Sequence, residues 1–217
     1  MDKKERISQF IQSFLPERNA FLERVRKEAL SEAVPILREE TAALLRVCLK
    51  TKDKPRILEL GTAVGYSALV MMDAIEGEGE IVTVENFPPR IEKAKENFGA
   101  SPYKDKICLM EGDGAEILEE LLEKKEQFSF IFLDAAKAQY PLWFPSLLKL
   151  LSSGGILFCD NILQGELLLE SRFYLERRQR TIHKRMREFL RLLQREKSLE
   201  TSILPIGDGV SLSIKKA

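Results

Sequence analysis

Disulfide and zinc frameworks are missing from this 217-residue chain. Its three cysteines, Cys48, Cys108 and Cys159, are an odd number with no CxxC spacing. That pattern argues against a disulfide scaffold or a cysteine zinc site and favours a reducing compartment. No apolar run approaches the roughly 18 residues that a membrane span needs. The opening MDKKERISQF carries charge where a secretory leader would be apolar, so neither a span nor a signal peptide is expected, and a cytoplasmic location is. Net charge is also lacking, because 34 basic residues balance 34 acidic ones. Zero net charge removes any global case for nucleic acid or membrane, while leaving room for a local patch. What is present is ordinary globular composition, 44% apolar and 31% charged. One domain over 1–217 is expected, with a helical extension over 1–50 and the main body over 55–217.

The first fifty residues read as helices. Ile7, Phe10, Ile11, Phe14 and Leu15 follow amphipathic spacing up to Pro16. A second helix is expected from Glu17 to Ala33, and Pro35 suits the first turn of a third. From Pro55 the pattern changes to short apolar runs at Arg56–Leu60, Glu80–Val84, Lys106–Met110, Phe128–Leu133 and Gly155–Cys159, separated by helix-length segments. Such alternation predicts an α/β fold, a doubly wound parallel sheet buried on both faces. A long charged helix, about Ser171 to Lys197, then precedes two strand-like runs joined by Gly207-Asp208-Gly209. The outline is therefore a mostly parallel, seven-stranded sheet finished by an antiparallel hairpin.

Ligands of open parallel sheets bind at the carboxyl ends of the strands. The first strand ends in LELGTAVGYS, whose Gly61 and Gly65 allow a tight turn at a helix start. The spacing is neither GxGxxG nor GK[ST], which disfavours pyrophosphate and triphosphate; a plain strand-to-helix turn also satisfies it. Glu85, 24 residues beyond Gly61, ends the second strand and could accept both ribose hydroxyls of an adenosine, or simply start a helix. Asp113 ends the third and could meet the adenine amino group or cap the next helix. The fourth and fifth tips, LDAAK and CDN, present Asp134, Asp160 and Asn161, hard oxygen donors that suit Mg²⁺ or another hard divalent ion. Lys137, three residues after Asp134, would face the same metal. Beside two positive charges its pKa should be depressed, as a general base requires, although a surface lysine remains the plainer reading.

These motifs together resemble the class I S-adenosylmethionine-dependent O-methyltransferases of the caffeoyl-CoA and catechol type, a Rossmann-like fold, from about Val34 to the end. LELGTAVGYSAL is similar to that family's first motif, IVTVE to its ribose-binding strand, and LDAAK with CDN to its metal-and-base motifs. Within the family the chain resembles the bacterial tRNA 5-hydroxyuridine methyltransferases, through VPIL, FLDAAKAQY, DNILQGEL, RRQRTIHKRMREF and ILPIGDGVSLSIKK. The resemblance implies S-adenosylmethionine and Mg²⁺ as cofactors and a homodimer. It implies that Glu59, Gly61, Gly65 and Ser67 border the methionine part, Glu85 holds the ribose, and Asp113 with Gly114 hold the adenine. Leu37, on the third helix, would close over the cofactor. Asp134, Asp160 and Asn161 would bind the metal, Asp134 would also lie near the cofactor, and Lys137 would be the base. Gly114 departs from the alanine common in relatives.

The acceptor is then a pair of neighbouring oxygens, in a catechol, a caffeoyl-CoA or the anticodon loop of a tRNA. Between Arg172 and Lys197 ten Arg or Lys face only three Glu. Arg177, Arg178, Arg180, Lys184, Arg185 and Arg187 could carry tRNA phosphate contacts, with Phe173 and Tyr174 stacking on a base. A solvated helix face explains the same run. A cofactor-binding module without catalysis is a further alternative, against which the intact Asp134, Lys137, Asp160 and Asn161 argue.

Overall fold

The computed structural model describes residues 3–163 and 167–217 apart from Arg18 and Arg172, without the side chains of Lys3, Lys4, Glu5, Ser8 and Arg178. Gln164, Gly165 and Glu166 of the DNILQGEL motif thus lie outside the described residues. Seven strands form one sheet: β1 (Arg56–Leu60), β2 (Glu80–Glu85), β3 (Ile107–Glu111), β4 (Phe128–Leu133), β5 (Leu151–Cys159), β6 (Leu199–Leu204) and β7 (Val210–Lys215). Their order is β3-β2-β1-β4-β5-β7-β6. The first five pair in parallel, and β7 pairs antiparallel with both β5 and β6. The expected doubly wound sheet with a terminal hairpin is what forms.

Alternation along each strand explains why the strands read as unbroken apolar runs. Ile57, Ile81, Phe130, Phe132, Ile156 and Phe158 point to one face, under α2 (Ala20–Ser31), α3 (Glu39–Lys50), α4 (Tyr66–Ala74) and α5 (Pro88–Gly99). Leu58, Leu60, Ile131, Leu133 and Leu157 point to the other, under α6 (Gly114–Glu123), α7 (Tyr140–Leu150) and α8 (Arg177–Arg195). Each fully buried Phe or Leu contributes about 1.5–3 kcal/mol, so both faces hold the sheet. The Phe130, Phe132 and Phe158 rings stack across β4 and β5 with centroids 5.7–6.3 Å apart.

Three expected helix starts are corrected. The second helix begins at Ala20, where the Asn19 side chain accepts the Leu22 N–H at 2.8 Å and caps the first turn. The third begins at Glu39. Residues 34–38 form neither helix nor strand after a left-handed Ala33 (φ +54°), with Arg38 extended, and Glu39 and Glu40 supply the acids that a helix N-terminus favours. Leu37 therefore precedes that helix. The charged helix begins at Arg177, because a reciprocal Glu176–Gln179 capping box fixes its first turn. Ahead of these, α1 (Lys3–Gln12) stops short of Pro16. Among the described residues, no helix is long and apolar enough to cross a membrane.

Candidate active site

Strand order reverses between the parallel β1 and β4: β2 and β3 extend one way from β1, β4 and β5 the other. Such a switch point opens a crevice at the carboxyl ends. A cavity of about 480 Å³ occupies it, reaching from Glu85 and Asp113 past Gly61–Ser67 to Lys137 and Asn161. The tips stay in register one residue beyond the strands. Asp134 N–H donates to the Leu60 carbonyl and Asp160 N–H to the Leu133 carbonyl, both at 3.0 Å. This continuation sets the two carboxylates side by side.

Gly61 makes the close approach possible. It adopts φ +105°, and a Cβ there would stand 2.2 Å from the Asp134 carbonyl oxygen. Gly65, at φ +83°, caps α4 against Phe98, which a Cβ would overlap at 2.5 Å. Neither position tolerates a side chain without displacing backbone or an aromatic ring.

Glu59 does not border the cavity. It is fully buried beneath it, accepting the Ser67 hydroxyl at 2.5 Å and the Thr83 hydroxyl. Thr83 in turn pairs with Thr62, at 2.5 Å. Of the two ends of this chain, Ser67 and Thr62 line the cavity. Burial, offset in part by these hydroxyls, pushes the Glu59 carboxyl up to about 7. Its effect on a ligand passes through Ser67 and Thr62.

Glu85 lies where expected, buried at the cavity wall. Its Oε2 accepts the Ala63 N–H at 2.8 Å, and its Oε1 accepts those of Asn86 and Phe87 at 3.0 and 3.1 Å. These bonds fix the carboxylate while leaving lone pairs for a ligand. Asp113 caps α6, accepting the Ala115 N–H at 2.8 Å, and also lines the cavity. The departure at Gly114 has a steric cause. Trp143 of α7 lies against it, and a Cβ would meet indole Cζ2 at 2.7 Å. Trp143 thus lines the cavity rather than only the helix layer. Pro35, Ile36 and Leu37 cover the mouth, held by an Arg38–Asp208 ion pair at 2.8 Å that ties this strap to the β6–β7 turn.

At the other end Asp134, Lys137, Asp160 and Asn161 come together. Asn161 Nδ2 donates to Asp134 Oδ1 at 3.1 Å, and Asn161 N–H to Asp160 Oδ1 at 2.7 Å, with Asn161 itself in a left-handed conformation (φ +56°). Burial and the neighbouring Asp134 charge raise the Asp160 carboxyl to about 7. Two close carboxylates and an amide, one acid destabilised by burial, match the oxygen donors that a hard divalent cation takes. Among the described residues no group of three His, Cys, Asp or Glu could hold a metal ion, so a cation here would need the Asn161 amide beside the two carboxylates.

Lys137 departs from the expected depressed pKa. Burial pulls it down, but Tyr140 and Asp134 outweigh burial and hold the ammonium above its ordinary value. Its Nζ donates to Asp134 Oδ1 and Tyr140 Oη, both at 2.8 Å, and to the Asp160 carbonyl at 3.1 Å. Sequence reasoning passed over Tyr140, although its place three residues after Lys137 in AKAQY was a signal.

The expected tRNA-facing residues divide. Arg177 and Lys184 are exposed, whereas Arg180 and Arg187, also exposed, donate to the Leu175 and Leu168 carbonyls at 2.7 and 3.3 Å. Arg185 is half-buried and pairs with Glu188 at 3.7 Å. The Arg178 side chain lies outside the described residues. Phe173 and Tyr174 are 79% and 85% exposed.

Comparison with known proteins gives the family. An O-methyltransferase family model matches residues 13–216. A caffeoyl-CoA O-methyltransferase of Populus kitakamiensis is 31% identical over 83% of this chain and 77% of its own length. The tapetum-specific methyltransferase 1 of Arabidopsis thaliana is 28% identical over 97% of this chain and 93% of its own. The SAH-bound methyltransferase structure from Podospora anserina superposes with a TM-score of 0.84 at 25% identity, covering 100% of this chain and 97% of that one. With its Gly61–Gly65 turn, its Asp134/Asp160/Asn161 cluster and this match over nearly its whole length, the chain belongs to the O-methyltransferase family.

Proposed function

We propose that the protein is an S-adenosylmethionine- and Mg²⁺-dependent O-methyltransferase that converts the wobble 5-hydroxyuridine of tRNA to 5-methoxyuridine. The observation that carries the chemistry is the meeting of Lys137, Asp134 and Asn161 at one end of the cavity, with Asp160 buried behind them. The cavity suits a nucleoside without phosphates, since Glu85 and Asp113 at its far end would repel a phosphate.

When bound, S-adenosylmethionine supplies an electrophilic sulfonium methyl and the divalent cation supplies Lewis-acid stabilisation of the acceptor oxygen. The chain's own residues do the rest. Glu85 holds ribose hydroxyls, Asp113 meets the adenine amino group, and Pro35–Leu37 exclude water. Asp134, Asp160 and Asn161 are the cation's holders. Lys137 would serve as the base only after its ammonium has given a proton to solvent; the neutral Nζ would then take the acceptor hydroxyl's proton, leaving the acceptor oxygen free to attack the methyl that the cofactor would supply. A cation held by Asp134 would compete with Lys137 for that carboxylate. Orientation and electrostatics supply most of the acceleration.

The acceptor is argued from α8. Arg177, Arg180, Lys184, Arg187, Arg191 and Arg195 recur every three or four residues and are all exposed, forming a basic stripe along its outer face. The helix packs against the Lys137–Gln139 turn, which supports a substrate path from the stripe to the catalytic end. A phosphodiester backbone has use for such a stripe, and a neutral catechol has none. A second reading, a caffeoyl-CoA-like small acceptor, is favoured by the Populus relative.

Labelled S-adenosylmethionine, Mg²⁺ and tRNA bearing 5-hydroxyuridine, with caffeoyl-CoA and catechols assayed separately, test the two. EDTA-sensitive 5-methoxyuridine, identified by nucleoside mass spectrometry, is the expected product. Inert tRNA beside methylated caffeoyl-CoA or catechol would overturn the tRNA reading and return α8 to a solvated face.

A further inference from the structure

We propose that Glu59 is a positioning residue whose carboxyl proton turns the Ser67 hydroxyl into the cavity, where it meets the carboxylate of the S-adenosyl cofactor. Binding of the cofactor then takes up one proton. The inference rests on the cofactor reading above and concerns a buried acid that the methyl transfer itself does not use. Glu59 lies between Thr83 of β2 and Phe132 of β4 and meets Ser67 of α4. Its Oε1 pairs with Ser67 Oγ at 2.5 Å and its Oε2 with Thr83, which pairs in turn with Thr62. Ser67 and Thr62 have no other side-chain hydrogen bond among the described residues.

Counting protons along this chain fixes what the cavity sees. A hydroxyl has one proton to give. With Glu59 ionised, Ser67 and Thr83 both give theirs to the carboxylate, and Thr62 gives its own to Thr83. The Ser67 oxygen then shows the cavity lone pairs only, above a buried negative charge. A neutral Glu59 has one proton to donate, from either oxygen. Donated from Oε2, it reverses the Thr83–Thr62 bond and leaves the Thr62 hydrogen unpartnered on a residue that is 1% exposed, an unfavourable place for a bare donor. Donated from Oε1, it frees the Ser67 hydrogen on a half-buried residue that lines the cavity. Ser67 is therefore the outlet. The step balances: a proton from solvent joins Ser67 Oγ on the cavity side, and the proton that Ser67 held passes to Glu59 Oε1.

The group that suits this donor is an anion. Ser67 is the second residue of α4, whose first turn holds no acid and whose cap, Gly65, makes no side-chain hydrogen bond. The positive end of the helix and a hydroxyl hydrogen thus converge on one place, and the only negative group of the cofactor is its methionine carboxylate. That carboxylate is repelled above an ionised Glu59 and accepts from Ser67 above a neutral one. Asp134 beyond β4 and Glu85 at the end of β2 are the acids that act on Glu59, and both favour its neutral form, as burial does.

The test is calorimetric titration of wild type and E59Q at fixed Mg²⁺, with S-adenosylhomocysteine and with 5′-methylthioadenosine, which lacks the carboxylate and the amine. A glutamine amide keeps a donor and an acceptor and does not titrate. From pH 6 to pH 8 the ratio of wild-type to E59Q Kd for S-adenosylhomocysteine should rise roughly tenfold, since the wild-type carboxyl must be reprotonated. The same ratio for 5′-methylthioadenosine should stay within about twofold. At pH 8, in buffers of different ionisation enthalpy, S-adenosylhomocysteine should take up about one proton more on wild type than on E59Q. A flat ratio, equal proton counts, or an equal rise with 5′-methylthioadenosine overturns the inference and leaves the cofactor reading standing. Wild type that does not bind S-adenosylhomocysteine overturns the cofactor reading and this inference with it. Should E59Q not fold, S67A removes the outlet. Its Kd should exceed that of wild type several-fold at pH 6 and approach it at pH 8, and a constant ratio overturns the proposal.

Discussion

Glu59 shows how depth changes the meaning of a carboxylate. An acid near the end of a buried parallel strand reads as a ligand contact, but both strand faces are buried here, so sequence gives no sign of which acids reach the cavity. Glu85 and Asp113 do; Glu59 lies beneath the floor. Its pKa of about 7 against an ordinary 4.5 has a stability consequence. Between those values the folded state binds a proton that the unfolded state has lost, so the stability from this group is full below pH 4.5 and falls as pH rises through 7. The loss approaches about 3 kcal/mol. Relative to wild type, E59Q should therefore gain up to about 3 kcal/mol between pH 5 and pH 8 in urea unfolding. A wild-type-minus-E59Q difference that stays flat with pH would contradict the buried protonated carboxyl.

At the scale of elements, the succession of strands and the polar residues at their tips were legible because short apolar runs and the residues after them are local signals. Helix starts were less so. Pro35 suits a first helical turn, yet the acids at Glu39 and Glu40 and the left-handed Ala33 place the start later. This leaves Pro35–Leu37 as a strap across the cavity, tied down by Arg38 and Asp208. Exposed ion pairs of this kind add only about 0–1 kcal/mol to stability. D208A should consequently leave the thermal midpoint within a few degrees of wild type, yet weaken S-adenosylhomocysteine binding several-fold in calorimetry as the strap loosens. Unchanged affinity would show that the strap holds without its tie. The contacts of Trp143 with Gly114 and of Lys137 with Tyr140 were not legible. The first joins residues 29 apart in sequence on separate helices, and the second depends on a short turn whose geometry composition does not specify.

On the scale of the whole molecule, zero net charge conceals an uneven distribution. Arg177, Lys184, Arg191 and Arg195 form no ion pair among the described residues, so the outer face of α8 keeps its positive charge. Sequence located the basic helix but could not separate outward arginines from Arg180 and Arg187, which also brace the preceding loop. K184E/R191E should lower tRNA methylation at low salt by roughly tenfold or more and flatten its dependence on salt, as counterion release requires. An unaltered salt slope would detach the stripe from the substrate. The fit between Gly114 and Trp143 has an optical corollary. The chain contains one tryptophan, and it stands in the wall of the proposed cofactor cavity. Emission excited at about 295 nm therefore arises from a single indole, and its quenching on addition of S-adenosylhomocysteine would trace occupancy directly. The fold carries its own fluorophore at the place where a titration needs one.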